Sequence, residues 1–277
     1  MSFQPVVPFG GLAGWAFLQR TQDTQQAAFD RSPARQRDTD RFIERIGSVT
    51  SAAELVSDRR LLAVTLGAFG LDDDIDNRFF IRKVLEDGPT APDALANRLA
   101  DKRYAALADA FRFDLAPPNT VLSDFGPRIV AAYRDRQFEI AVGAQSSDMR
   151  LALGLERELS NLTGRSLSED GLWFTVMATP PLRKVFEAAL NLPATLGTLD
   201  IDRQLGVFKD RTRAFFGEES LRQFSDPDKQ ATLLRRFLLA SESTAAPTAA
   251  APGATALALL QATQPLAIGS RFAGLLA

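Results

Sequence analysis

Residues 58–88 read "DRRLLAVTLGAFGLDDDIDNRFFIRKVLEDG". Leu55, just upstream, and then Leu62, Leu66 and Phe69 recur near helical spacing, which lines one face of a helix ending at Gly70. Four aspartates follow within residues 72–76. Phe79, Phe80, Ile81, Val84 and Leu85 start a second apolar period, and Gly88-Pro89 stops it. The stretch therefore reads as two amphipathic helices meeting at an acidic corner. Asp74 or Asp76 is the expected N-cap of the second helix, where a carboxylate satisfies free N–H groups and complements the dipole. Arg78, Arg82 and Lys83, one to two turns on, are the expected balance of charge.

The same aspartates invite a metal reading. Asp72, Asp74 and Asp76 have the 1, 3, 5 spacing of a calcium loop. Such a loop needs Gly at position 6 and Glu at position 12, and this chain has Asn77 and Lys83 there. Clustered carboxylates without a glycine-rich cradle also repel phosphate. No metal and no cofactor is expected.

Working outward, nearly all punctuation is that of helices. A break falls at Ser32-Pro33, and Phe42, Ile43 and Ile46 form a stripe before Gly47. Ser51 with Glu54 has the spacing of a capping box. Leu95 and Leu99 lie in a helix begun at Pro92-Asp93, Tyr104 to Phe111 form another, and Pro117-Pro118 ends the block. From 123 to 162, Ile129, Tyr133, Ile140, Ala144, Leu151, Leu155, Leu159 and Leu162 recur near helical spacing, with an interruption possible at Ser146-Ser147-Asp148. A second block opens at Ser168-Glu169-Asp170, before Trp173 and Phe174, which are expected in a core. Pro180-Pro181 before Arg183 and Lys184 marks a helix start.

The second block echoes the first. Leu61, Val64, Ala68, Phe69 and Leu71 align with Leu182, Val185, Ala189, Leu190 and Leu192, "DIDNR" at 74–78 with "DIDRQ" at 200–204, and Leu95 and Phe111 with Leu221 and Phe237. The offset grows from 121 to 125 or 126, which places a short insertion near "PATLGT". If the echo is a duplication, both acidic corners share one local fold and Asp200 caps its helix as Asp74 or Asp76 does.

The expected architecture is all-α: an N-terminal helical segment (1–50), block 1 (51–117), a connecting long helix (118–167), block 2 (168–240) and a tail (241–277). The tail begins "SESTAAPTAAAPGATA", a low-complexity linker, and continues into "LALLQA" and "RFAGLLA". Leu257, Leu259, Leu260, Phe272 and Leu275 are the candidate partner-binding residues, as anchors in a partner groove. A tail folded back on its own domain accounts for the same pattern.

Composition narrows the function. The 277 residues contain no Cys and no His. Disulfides, thiolate nucleophiles, Ser-His-Asp triads and His-ligated zinc are excluded. The 32 basic and 34 acidic residues leave a net charge of -2, which favours neither nucleic acid nor an anionic membrane. No apolar run reaches about 20 residues, so no membrane insertion is expected. The apolar N-terminal residues 6–18 lack a preceding basic segment and carry Pro8, Gly10, Gly11 and Gly14, so they read as an anchor packed on the body. Glu156 and Glu158 face apart on a helix and form no catalytic pair.

The stretches "DRRLLAVTLGAFGLDDDIDNRFFIRKVLEDG", "ALANRLADKRYAALADAFRFD", "FEIAVGAQSSDMRLALGLEREL" and "LDIDRQLGVFKDRTRAFFG" resemble a family of alphaproteobacterial proteins encoded among flagellar genes and carrying a domain of unknown function. The resemblance spans residues 10–240. It implies a link to the bacterial flagellum and transfers no catalytic residue. The expected function is non-enzymatic, through protein–protein contacts with flagellar proteins, in the cytoplasm or at the basal body, with export through the flagellar secretion channel as a further route. The alternative is a carboxylate enzyme that cleaves cell-wall glycan, which needs two carboxyls about 5–9.5 Å apart across a cleft.

Overall fold

A computed structural model describes residues 3–99 and 101–245. Every regular element among them is helical, in the order α1 (Gly11–Asp30), α2 (Pro33–Ile46), α3 (Ala52–Ser57), α4 (Arg59–Phe69), α5 (Arg78–Asp87), α6 (Leu95–Arg98), α7 (Arg103–Phe111), α8 (Phe125–Gly143), α9 (Ser147–Thr163), α10 (Glu169–Ala178), α11 (Pro180–Ala189), α12 (Ile201–Phe216) and α13 (Pro227–Ala245). Short 3-10 turns cover Asp72–Asp74, Asn119–Val121, Ala194–Thr198 and Leu221–Ser225. The all-α expectation holds.

Two large cores share one spine, and a small third cluster of Val84, Ala96 and Ala108 adjoins the first through Phe80 and Tyr104. Phe125, Ile129 and Val130, in the first half of α8, pack with Phe42, Ile46, Leu61, Leu62, Leu85 and Phe111. Phe138 and Val142, in the second half, pack with Leu18, Phe29, Trp173, Phe186, Phe208 and Phe237. Thus α2 belongs to the first core and α1 to the second. Edge-on ring pairs tie α8 to both: Phe125 to Phe111 at 4.9 Å and Phe138 to Phe29 at 5.8 Å. Aromatic pairs in such geometries add about 0.5–1.5 kcal/mol beyond area burial. In the second core Trp173 meets Phe186 and Phe208, and its Nε1–H donates to the Glu219 carbonyl at 3.0 Å, so its one polar group is satisfied.

Several boundaries differ from the sequence reading. The connecting segment is a helical hairpin and not a long helix: α8 ends at Gly143, and the Ser146 hydroxyl caps α9 by accepting from the Met149 N–H. The helix expected from Ser51 to Gly70 divides at Asp58, whose carboxylate accepts from the N–H groups of Arg60 and Leu61 and so starts α4 anew. The capping box at Ser51 forms, with the Glu54 N–H donating to Ser51 Oγ; the return bond to the Glu54 carboxylate comes from Thr50 N–H. Trp173 is buried as expected, whereas Phe174 is 36% exposed because it lies on the opposite face of α10. α13 continues past Ala240 to Ala245, into the segment read as linker. The expected anchors Leu257, Leu259, Leu260, Phe272 and Leu275 lie outside the described residues.

The blocks repeat their element order. The residues aligned at offset 121 hold the same places: Leu61 and Leu182 are each the third residue of their helix, and both are buried, as are Val64 and Val185. Phe111 and Phe237 are fully buried; Phe69 is only half-buried, against Phe111. The acidic corners, however, do not share a local fold, so the duplication expected from the echo fails at the corners and the local likeness is confined to the helices before them. Asp200 caps α12 directly, accepting from the Arg203 N–H at 2.9 Å. In the first block neither Asp74 nor Asp76 is the cap: α5 begins at Arg78 after Asn77, which makes no side-chain cap bond.

Candidate functional site

The aspartate corner is held by tertiary partners. The Tyr104 hydroxyl donates to Asp74 at 2.6 Å, Gln137 Nε2 donates to Asp72 at 2.7 Å, and Arg59 pairs with Asp76 at 2.7 Å. These partners come from α7, α8 and α4, so the three carboxylates turn to three different helices. Burial, then the Asp74 carboxylate, pushes the Tyr104 phenol up to about 12. Of the three basic residues expected to balance the corner, Arg78 acts on Asp76 through its charge, whereas Arg82 and Lys83 serve their own helix: Arg82 pairs with Glu86 and Lys83 with Asp87, each four residues on. Those i,i+4 partners compete with the aspartates and lie closer along the chain.

The α8–α9 hairpin carries an ion network that the sequence reading missed. Arg157 donates to both oxygens of Glu139, and Glu158 lies 3.7 Å from Arg136 and 3.6 Å from Arg157. Burial, then the neighbouring Arg157, pushes Arg136 below its ordinary value. Burial acts against Arg157 too, but the hydrogen bond and charge of Glu139 outweigh it and raise it. Arg103 donates to the Gly70 carbonyl while pairing with Asp101. Arg103 and Arg136 thus both stand at the C-terminal end of α4, where cations suit the dipole. The signal for this network was present at Ser146-Ser147-Asp148: once the chain turns there, Glu139 and Arg157 come opposite each other.

Two open clefts mark the surface. One, of about 680 Å³, is lined by Arg41, Arg45, Glu54, Asp58 and Arg59 among others. Arg41 donates twice to Asp58, Glu54 holds Thr50, and Arg59 holds Asp76. The other, of about 390 Å³, is lined by Gln26, Asp135, Glu139, Glu156 and Arg157 with their neighbours. Gln26 donates to Asp135 at 2.7 Å, and Glu139 is taken by Arg157. Glu158 points into the ion network and Glu156 into this cleft, so the two do face apart. Among the described residues no group of three or more Asp or Glu is placed to hold a metal ion, and no helix is long and apolar enough to cross a membrane.

What the geometry defines is an all-helical protein with two large cores, whose charged groups hold helices to one another. Residues 68–230 match the family described as protein of unknown function (DUF1217), and the chain belongs to that family. Its fold is similar to that of an X-ray structure of a structural-genomics target from Agrobacterium tumefaciens, at 26% identity and a TM-score of 0.69, covering 87% of this chain and 99% of that one. No curated protein matches the chain.

Proposed function

We propose that this protein is a non-enzymatic, flagellum-associated protein that works through protein–protein contacts in flagellar assembly or basal-body structure. The setting comes from the resemblance of its helical blocks to proteins encoded among flagellar genes. The observation that carries the mode of action is a contrast at the surface. Glu54, Asp58, Asp135 and Glu139, which line the clefts, each accept hydrogen bonds from the fold itself. Large apolar side chains stand open instead: Phe79 is 83% exposed, and Ile43, Val121 and Leu122 are exposed as well. Exposed apolar side chains give a partner area to bury, which is the driving force of association. Leu257, Leu259, Leu260, Phe272 and Leu275 add apolar anchors beyond the described residues.

The test is a pull-down with tagged full-length protein from flagellated cells, followed by fractionation into cytoplasm, membrane and basal body. Recovery of flagellar components with the tagged protein is the expected result. Glycan cleavage by the purified protein, abolished in a Glu139→Gln or Asp135→Asn variant, would replace this reading with the enzymatic one.

A further inference from the structure

The C-terminal half of α2 lies against the chain that leads into α8. A β-carbon placed on Gly126 would sit 3.7 Å from Ile43 Cα and 4.0 Å from Ile43 Cγ1, and one placed on Gly47 would sit 4.0 Å from the Thr120 carbonyl oxygen. The Thr120 hydroxyl donates to the Val49 carbonyl at 2.7 Å. The run from Thr120 to Gly126 therefore follows α2 backwards, from Gly47 to Ile43, and Val121 and Leu122 lie on that run. Its turn is fixed where the Phe125 N–H donates to the Leu122 carbonyl at 3.1 Å. Ile43 is 46%, Val121 44% and Leu122 49% exposed. Three large apolar side chains thus stand open along one seam, whose inner side is closed by the buried Ile46 and Phe125.

The charge beside Ile43 is negative. Asp40 and Glu44, four residues apart on α2, are both exposed. Among the described residues neither has an ion-pair or side-chain hydrogen-bond partner. The arginines of α2 turn elsewhere: Arg35 to the Phe29 ring, Arg41 to Asp58, and Arg45 into the cleft beside α3 and α4. Arg37, three residues before Asp40, makes no ion pair with it. Like charges four apart destabilise a helix, and a carboxylate in the last turn opposes the dipole. Both effects work against α2, and no contact within the fold offsets them.

This charge selects the occupant. Unpaired carboxylates repel nucleic acid and anionic lipid surfaces alike. A symmetric contact with a second copy would set Asp40 and Glu44 against their own counterparts. The described residues offer no sheet edge to which a strand could add. A helix with an apolar stripe and cationic flanks fits, since it buries the three side chains and pairs the two carboxylates.

We propose that Ile43, Val121 and Leu122 form a docking face for a basic amphipathic helix of a partner protein, whose Lys or Arg residues meet Asp40 and Glu44. This rests on the reading of the protein as one that acts through contacts, and it gives the chemistry of the partner.

Purified full-length protein is titrated with two dye-labelled synthetic peptides of about 15 residues, long enough to become helical on binding. Both carry leucines at helical spacing; one has a polar face of lysine, the other of glutamate. Fluorescence anisotropy is expected to show binding of the lysine peptide, weakened by salt, and none of the glutamate peptide. Hydrogen exchange should slow at residues 40–47 and 119–126 in the complex. Leu122→Ser, and separately Asp40→Lys with Glu44→Lys, should each weaken binding several-fold while circular dichroism stays unchanged. Asp73→Lys with Asp93→Lys, at two exposed aspartates elsewhere, should not weaken it. Equal weakening by both charge reversals would reduce the binding to general attraction and overturn the proposal. So would protection at other residues, equal binding of the glutamate peptide, or no binding of either. A wild-type dimer that Leu122→Ser dissolves would make a second copy the occupant, and overturns it too. None of these outcomes bears on recovery of flagellar components by the tagged protein, so the two readings fail separately.

Discussion

The ends of α4 and α11 close in the same way, and the corners that follow them do not. At the first, Gly70 is left-handed with φ 70°, and the Leu71 N–H donates to the Leu66 carbonyl at 2.9 Å. At the second, Asn191 is left-handed with φ 52°, and the Leu192 N–H donates to the Glu187 carbonyl at 2.9 Å. Each position lies 121 residues from its counterpart. This is the closure in which a left-handed residue lets orphan carbonyls accept bonds from beyond the helix end. Past Leu71 and Leu192 the paths part. The first corner turns at once through Asp72–Asp74, tied to α7 and α8 by Tyr104 and Gln137. The second runs through Pro193 and a 3-10 turn at Ala194–Thr198, and Asp200 then caps a 16-residue helix. A helix closure depends on backbone geometry that a short stretch of sequence fixes. A corner depends on which neighbours take its side chains, so "DIDNR" and "DIDRQ" echo without folding alike.

The comparison is tested hardest in the cores. Phe111→Ala and Phe237→Ala should each cost about 3–5 kcal/mol, because each removes a fully buried ring from a packed cluster. Urea titrations read by fluorescence and circular dichroism should show comparable losses and a single transition, since α8 belongs to both cores. A normal loss for Phe111→Ala beside a negligible one for Phe237→Ala would break the equivalence of the two positions.

A second pair of substitutions sharpens the closure itself. Gly70→Ala forces a β-carbon into the left-handed region, at about 1–2 kcal/mol, and places that carbon 3.0 Å from Arg136 Nη1. Asn191→Gly keeps the conformation within glycine's range and should change stability by only about 0.5 kcal/mol in either direction. Thermal midpoints of the two variants decide the matter. A larger loss for Asn191→Gly than for Gly70→Ala would mean that the Asn191 side chain, and not the backbone, closes the second helix.

The fold was legible wherever helices announce themselves locally. The break at Ser32-Pro33, the cap at Ser51, the stop at Gly88-Pro89 and the start at Pro180-Pro181 all stand where the residues placed them. The cap at Asp58 is hidden in the sequence because it lies inside an otherwise continuous apolar period, although its bonds, to the N–H groups of Arg60 and Leu61, are local. The hairpin at Ser146 is masked in the sequence because both of its helices keep the same spacing of leucines. The surface was less legible. The partners of Asp72, Asp74 and Asp76 come from as far as residue 137, and no local pattern encodes a contact that distant.

The caps give the next smaller effects, and the one at Asp58 depends on pH. Burial pushes the Asp58 carboxyl up, but the hydrogen bonds from Arg41 and from the amides of Leu61 and Arg60 outweigh it and hold it below its ordinary value of 3.8. A carboxyl lowered on folding stabilises the native state above its unfolded value, and that stabilisation is lost as pH falls through the folded value. Asp58→Ala should therefore cost about 1–2 kcal/mol at neutral pH, and its difference from wild type should shrink below the ordinary carboxyl range. Asp200→Ala, an exposed cap, should cost about 0.5–1 kcal/mol. A deficit for Asp58→Ala that persists undiminished in acid would assign its role to packing.

The smallest expected effect bears on the corner that first suggested a metal. Calcium at millimolar concentration should leave the thermal midpoint essentially unchanged. Binding to the native state alone raises stability by mass action, so even a weak site at that concentration becomes visible in a melting curve. For the corner to form one, Asp72 would release Gln137, Asp74 would release Tyr104, and Asp76 would release Arg59, because the three carboxylates turn to three helices. The ion would also lack the twelfth-position glutamate, since Lys83 stands there and pairs with Asp87. A rise of several degrees in wild type that disappears in Asp74→Ala would mean that the corner rearranges to bind the ion. The second block supplies the control: an equal rise lost instead in Asp200→Ala would place the ion at the other corner, where the aspartate caps a helix directly and pairs with Arg203 of the same helix at 3.2 Å.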